Sequence, residues 1–167
     1  TTGGLVRERK TDVDSSNGNI TSTYANNSGS WLQTTMSYDT YGNLIHIEYP
    51  QNSNGEAMFY DYTYETVYNK YIIGIKDAFG YVSSASYNSD FDKIIETIDL
   101  TGNKMQYSYD SFGRNTLIIA PKEIAAGIKY TIKFDYYPYF SLLPSGSGVS
   151  ATTFVPVAVT SHYDQQH

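Results

Sequence analysis

Cysteine is absent from this chain. That excludes a disulfide framework, thiolate catalysis and any cysteine-based metal centre. Charge is scarce as well: Asp, Glu, Lys and Arg make up 17% of the 167 residues, and the balance is acidic at −6. No basic stripe is present of the kind that nucleic-acid binding requires, so nucleic acid is not an expected partner. No apolar run approaches the roughly 18 residues of a membrane-spanning helix. Nor does a basic start followed by an apolar stretch mark a leader peptide. Good helix formers are few, whereas Tyr alone supplies 18 residues and Thr, Ser, Asn and Gly are plentiful. That mixture suits exposed, twisted antiparallel sheet. The length is enough for one ordinary domain.

A short period organises the centre of the chain. Windows starting at Asp77, Asn88, Asp99 and Asp110 are spaced by eleven residues. Those at Asp77, Asp99 and Asp110 read Asp-x-x-Gly, ending at Gly80, Gly102 and Gly113. A fixed short period marks a repeat architecture. Asp-x-x-Gly fits a type I turn, with Asp accepting backbone hydrogen bonds and Gly taking the positive φ. Such a turn followed by a left-handed residue is a common hairpin loop. Asp39 and Gly42 form another copy, so each of Gly42, Gly80, Gly102 and Gly113 is expected to close a hairpin. In the Asn88 window Asp92 takes the Gly place one residue late, since Asp tolerates that conformation better than most residues.

Between turns the chain alternates. Met58, Tyr60, Tyr62 and Tyr64 share one face, opposed by Asp61, Thr63 and Glu65. Met105, Tyr107 and Tyr109 oppose Lys104, Gln106 and Ser108. Ile128, Tyr130, Ile132, Phe134 and Tyr136 oppose Lys129, Thr131, Lys133 and Asp135, and Ile45, Ile47 and Tyr49 share a face after Gly42. Period two argues half-buried antiparallel strands. The expected fold is therefore all-β: antiparallel hairpin repeats forming a twisted sheet strip. Repeats are clearest over 77–120 and looser over 13–76, where Pro50 to Gly55 is a polar turn cluster and Thr63 to Asp77 holds one unit with three inserted residues. Residues 121–151 are loop-rich, Thr152 to Thr160 reads as a strand, and 161–167 opens a further repeat. Ala25 to Ser30 and Ala120 to Gly127 read as loops. No helix is expected; the nearest candidate, Ile124 to Lys129, is weakened by Gly127. The whole of 1–167 reads as one segment excised from a longer protein.

Sites of chemistry are hard to find. Gly146-Ser147-Gly148-Val149-Ser150-Ala151 fits a dinucleotide-binding Gly pattern, but Pro144 precedes it and a strand-like stretch follows, so it reads as a loop. Asp12 to Gly18 hints at a calcium loop, yet its Gly is one place late and Thr23 stands where the twelfth-position Glu belongs. Asp90-Phe91-Asp92 lies in a repeat turn. His46, His162 and His167 are scattered singles. No nucleophile-elbow spacing supports a triad. Asn19 and Asn26 begin glycosylation sequons. No catalytic, cofactor-binding or metal-binding residue is assigned. The Tyr stripes, with Tyr60, Tyr62, Tyr107 and Tyr109 at their centre, read first as a cross-strand ladder that holds the sheet. The alternative is a face that binds sugars or proteins.

Tyr109-Asp110-Ser111-Phe112-Gly113-Arg114 and Tyr38-Asp39-Thr40-Tyr41-Gly42-Asn43-Leu44 resemble the signature of the Rhs or YD-repeat family. The order Lys76-Asp77-Ala78-Phe79-Gly80, Tyr87-Asn88, Asp99-Leu100-Thr101-Gly102-Asn103, Tyr109-Asp110 is similar to the repeat region of toxin-complex B subunits and of related virulence-plasmid-type proteins. The ending Ser161-His162-Tyr163-Asp164 fits the same lineage, and the resemblance covers roughly Val13 onward. It implies a spiralling sheet that encloses a toxin polypeptide lying C-terminal to the repeats, in a bacterial protein that is secreted or at the cell surface. The partners it implies are other repeats of the chain, the enclosed toxin domain and other toxin-complex subunits. The family's teneurin-type use of the repeats implies instead an adhesion module that binds surface glycans or protein partners. The family's self-cleaving aspartyl site has no counterpart here. Asn88 in place of Asp, Asp92 in place of Gly, and Thr63 after Tyr62 depart from the pattern.

Overall fold

The computed structural model describes residues 7–138 and 156–164. The fold is all-β. Strands β1 (Arg9–Val13), β2 (Ile20–Asn27), β3 (Ser30–Tyr38), β4 (Leu44–Glu48), β5 (Phe59–Tyr64) and β6 (Ile72–Asp77) precede β7 (Val82–Asn88) and β8 (Lys93–Ile98). Then come β9 (Lys104–Tyr109), β10 (Asn115–Ile119), the helix α1 (Pro121–Ala125), β11 (Ile132–Tyr137) and β12 (Val157–His162). Strand order is chain order from β1 to β12. Each strand therefore pairs with the one the chain has just left, and the pairings are antiparallel hairpins.

Two compact units divide the chain, Thr1–Ala85 and Ser86–His167. In the first, β1 to β6 form a meander. Its turns after β1, β3 and β5 lie at one end of the strands, and those after β2, β4 and β6 at the other. In the second, β8 to β12 pair in sequence, with α1 between β10 and β11. Bulges recur where a turn hands over to a strand, as at Ser37/Tyr38 and between Asn115 and Leu117. The turn adds one residue to one side of the hairpin, and a bulge absorbs it.

Very little is buried. Among the described residues Tyr71, 9% exposed, is the one buried hydrophobic side chain, and Ser22 the one buried polar side chain. The alternating side chains are half-buried on sheet faces and do not meet in a closed interior.

Three expectations change. Pro121–Ala125 is helical where a loop was expected. Pro121 starts it, its fixed φ and missing N–H being harmless at the first helical position, and Gly127, at φ +67°, ends it. The last strand of the Ile128 to Tyr136 stretch begins only at Ile132, because Ile128 donates its N–H back to Glu123 and finishes the helix. The Ala25 to Ser30 loop shrinks to Ser28-Gly29, both at positive φ, with strand on either side. Strand β12 starts at Val157, and the earlier part of Thr152 to Thr160 lies outside the described residues. So do Ser141 to Ala151, including the Gly146 pattern, and His167.

Candidate functional site

The repeat turns share one hydrogen-bond plan. At Asp39, Asp77, Asp99 and Asp110 the Asp N–H donates to the carbonyl four residues on, at 2.9, 3.0, 3.0 and 2.9 Å. The Asp carbonyl accepts from the N–H of Gly42, Gly80, Gly102 and Gly113. One carboxylate oxygen then accepts the two N–H groups that point into the loop, as Asp99 does from Thr101 at 2.8 Å and Asn103 at 2.9 Å. Short loops leave such donors without strand partners, and Asp supplies the acceptor. The glycines sit at φ between +72° and +86°, which costs a Cβ-bearing residue about 1–2 kcal/mol.

Asn88 keeps the plan with an amide. Its Oδ1 accepts from Asp90 and Phe91, and Asp92 holds φ +54° in the Gly place. In two further turns the capping residue was not singled out from the sequence, although Pro50 to Gly55 was read as a turn cluster and Thr63 to Asp77 as a unit with an insertion. Asn52 repeats the plan with Gly55 and Glu56, its signal being Asn-x-x-Gly within the polar cluster. Glu65 caps the longer loop after β5, its carboxylate accepting from Val67 at 2.7 Å, Tyr68 at 2.8 Å and Lys70 at 2.9 Å. The extra methylene of Glu reaches across the three inserted residues.

These hydrogen bonds stabilise the charged forms. The hydroxyl of Thr101, then the side chain and N–H of Asn103, draw the Asp99 carboxyl down to about 2. Glu65 is lowered chiefly by the Lys70 N–H, and Asp14 by the Ser16 hydroxyl. At Asp39 and Asp110 desolvation pushes upward, but the combined donors of Asn43, Tyr41 and Gly42, or of Arg114 and Phe112, hold both below the usual range.

A Tyr at or near the end of a strand has a separate task. Tyr38 donates its hydroxyl to the carbonyl of Ile20 at 2.9 Å, Tyr64 to Leu44 at 3.1 Å, Tyr109 to Ile94 at 2.7 Å and Tyr136 to Asn115 at 2.9 Å. Each bond joins the end of one strand to the start of the strand before it. Those strands are connected by a turn only at their far end, so the hydroxyl closes the end where neighbouring hairpins would splay. Of the ladder residues, Tyr60 meets the Tyr49 ring edge-on at 6.4 Å. Desolvation, then the hydroxyls of Tyr49 and Tyr60, raises the Tyr62 pKa. Tyr107 directs its hydroxyl to the sulfur of Met105 at 3.8 Å.

On the opposite face Ser37, His46, Asp61 and Lys76 stand in register across β3 to β6. His46 Nδ1 meets Asp61 Oδ1 at 2.6 Å, and Nε2 lies 3.9 Å from Glu48. His46 is 31% and Asp61 45% exposed, so this is a solvated cross-strand pair on an open face. The calcium-like stretch is a turn: Asp14 accepts from Ser16 and Asn17, and Asp12 from the Tyr24 hydroxyl. His162 lies on β12 opposite Ile132. Among the described residues no three His, Asp or Glu are grouped to hold a metal ion, and no helix is long and apolar enough to cross a membrane.

No protein-family model and no curated protein matches the chain. The resemblance to YD-repeat proteins therefore rests on the order and spacing of the turn motifs alone.

Proposed function

We propose that this chain is a structural wall segment of an Rhs/YD-repeat protein whose shell encloses and helps deliver a C-terminal toxin polypeptide. The observation that carries the reading is the two-way attachment made by Tyr and Asp at successive positions. Asp110 builds the turn to the following strand, while Tyr109 ties its own strand to the preceding one. A unit fastened on both sides and owning almost no buried core adds to a sheet without limit. Such a sheet forms walls, and closing it removes the edges that invite aggregation.

Limited proteolysis of the full-length natural protein, with its C-terminal region followed by antibody, tests this. Survival of that region until the repeats are cut is the expected result. Its immediate digestion beside intact repeats would overturn the proposal.

A second reading, a surface adhesion module, draws on the turn tips. Tyr41, Phe79 and Phe112, each just before a turn Gly, are 69%, 77% and 79% exposed. Alanine at all three should leave proteolytic protection intact if the chain is wall, and should abolish attachment to cells if it is an adhesin.

A further inference from the structure

The β3–β4 ladder stops short, and the register gives the reason. Tyr49 donates its N–H to the carbonyl of Met58, the residue just before β5. Backbone groups alternate in direction along a strand, so those of His46 and Glu48 point to β3, where they oppose Ser37 and Thr35. The next rung would pair Gln33 with Pro50. Proline has no N–H to give. The ladder ends at Thr35, and the β4–β5 hairpin runs on to its Asn52 turn with Met58 as the partner of Tyr49. On β3 the N–H and C=O of Gln33 and Trp31 therefore point to the vacated side, while Leu32 and Thr34 serve β2. These are inner-edge groups of a strand in the middle of a meander, unpaired among the described residues. Beside them lies a hollow of about 370 Å³ whose lining includes Trp31, Gln33, Thr35, Glu48 and Gln51. Glu48 is the one charged residue among its described lining.

We infer that this notch receives a short extended peptide with a basic side chain, added to β3 along the line that β4 leaves at Pro50. Two open rungs match about three residues of extended chain, roughly 10 Å. Main-chain bonding at a strand edge recognises any extended segment, and side-chain pockets select among them. The incoming residue opposite Gln33 would follow Glu48 on the same face, where a Lys or Arg meets its carboxylate. A sugar is disfavoured, because one face of the Trp31 indole already carries the Lys10 ammonium at 3.9 Å. The inference does not depend on the shell reading; any YD-type or unrelated role leaves the notch in place.

Trp31 is the only tryptophan, so its fluorescence reports from the hollow itself. The chain is titrated with a capped peptide of sequence Thr-Val-Lys-Val-Thr, with the same peptide N-methylated at its lysine and its last threonine, whose N–H groups face Gln33 and Trp31, and with a version carrying Glu for Lys. Saturable change with the first peptide is expected, weakened at least about tenfold by N-methylation. Glu48→Gln should weaken it about two- to fivefold. Pro50→Ala restores the missing N–H and should close the notch, lowering affinity while leaving the circular dichroism of the sheet unchanged. No saturable change up to about millimolar peptide would overturn the inference, as would equal binding of the methylated peptide. Saturation by xylo- or malto-oligosaccharide in place of the peptide would also overturn it, making the hollow a sugar site.

Discussion

Gly102 and Gly113 occupy equivalent turn places, yet their replacement by alanine should not cost the same. Both have positive φ, and around Gly102 a new Cβ would meet nothing within 4 Å. Gly102→Ala should therefore lose only the conformational penalty, about 1–2 kcal/mol. At Gly113 the Cβ would stand 2.9 Å from Cδ1 of Phe91, the ring offered by the neighbouring turn at the same end. Overpacking of that kind adds about 1–3 kcal/mol. Urea denaturation compares the two, and in a Phe91→Ala background the two glycine changes should cost alike. Acid provides a second test at this scale. Asp99 has a folded-state pKa of about 2, below the ordinary 3.8. A depressed carboxyl stabilises the fold fully above its unfolded pKa and loses that contribution as pH falls through the folded one. Stability should thus decline between about pH 4 and pH 2, helped by Asp14, Asp39, Asp110 and Glu65. Asp99→Asn should fold, since Asn52 and Asn88 already fill that place, and should flatten part of the decline in melts taken at each pH. Asp99→Ala should be the less stable variant at pH 7.

Between elements, the hydroxyl bonds are the joints that matter. Tyr64→Phe and Tyr136→Phe remove partly buried bonds to Leu44 and Asn115, for an expected loss of about 0.5–1.5 kcal/mol each. Tyr38→Phe and Tyr109→Phe remove exposed ones and should lose less. Hydrogen exchange should locate the effect: faster exchange at the turn ends of β4 and β10, with the far ends of those strands unchanged. These joints could not be read along the chain, because each links residues separated by 15 to 21 positions. The turns could be read, because every partner of Asp39 or Asp110 lies within four residues and the chemistry is local. Helix α1 falls between the two cases. Its Pro and Gly boundaries stand in the sequence, but Thr131 also anchors it, donating to Glu123 and accepting from the Ala120 N–H after the chain has turned back. Likewise Pro50 is plain in the sequence, while its effect on Gln33 needs the register of three strands.

At the scale of the whole molecule, alternation implied half-buried antiparallel sheet, and the described strands are half-buried. Half-buried faces and a single buried hydrophobic among the described residues give the chain little to hold it apart from its neighbours. Strands β1 and β12 end the strand order, and β1 is exposed along its whole length. Light scattering after size exclusion should show association at tens of micromolar, with a larger apparent mass as concentration rises. A concentration-independent monomer would count against this. Lys at Thr11 and Val159, placed on those terminal strands, should shift the equilibrium toward monomer.

The turns that alternate between the two strand ends set a rule of inheritance. Asn88 and Asp110 begin turns at the same end, with the turn of Asp99 between them at the other. The unit of text is one strand, but the unit of form is two. Gain or loss of one eleven-residue word would send every later strand the opposite way and deliver the rest of the chain to the wrong rim. Gain or loss of a pair leaves the downstream direction intact. Descendants of this gene should therefore vary in length by even steps, wherever something attached beyond the repeats must emerge on a particular side.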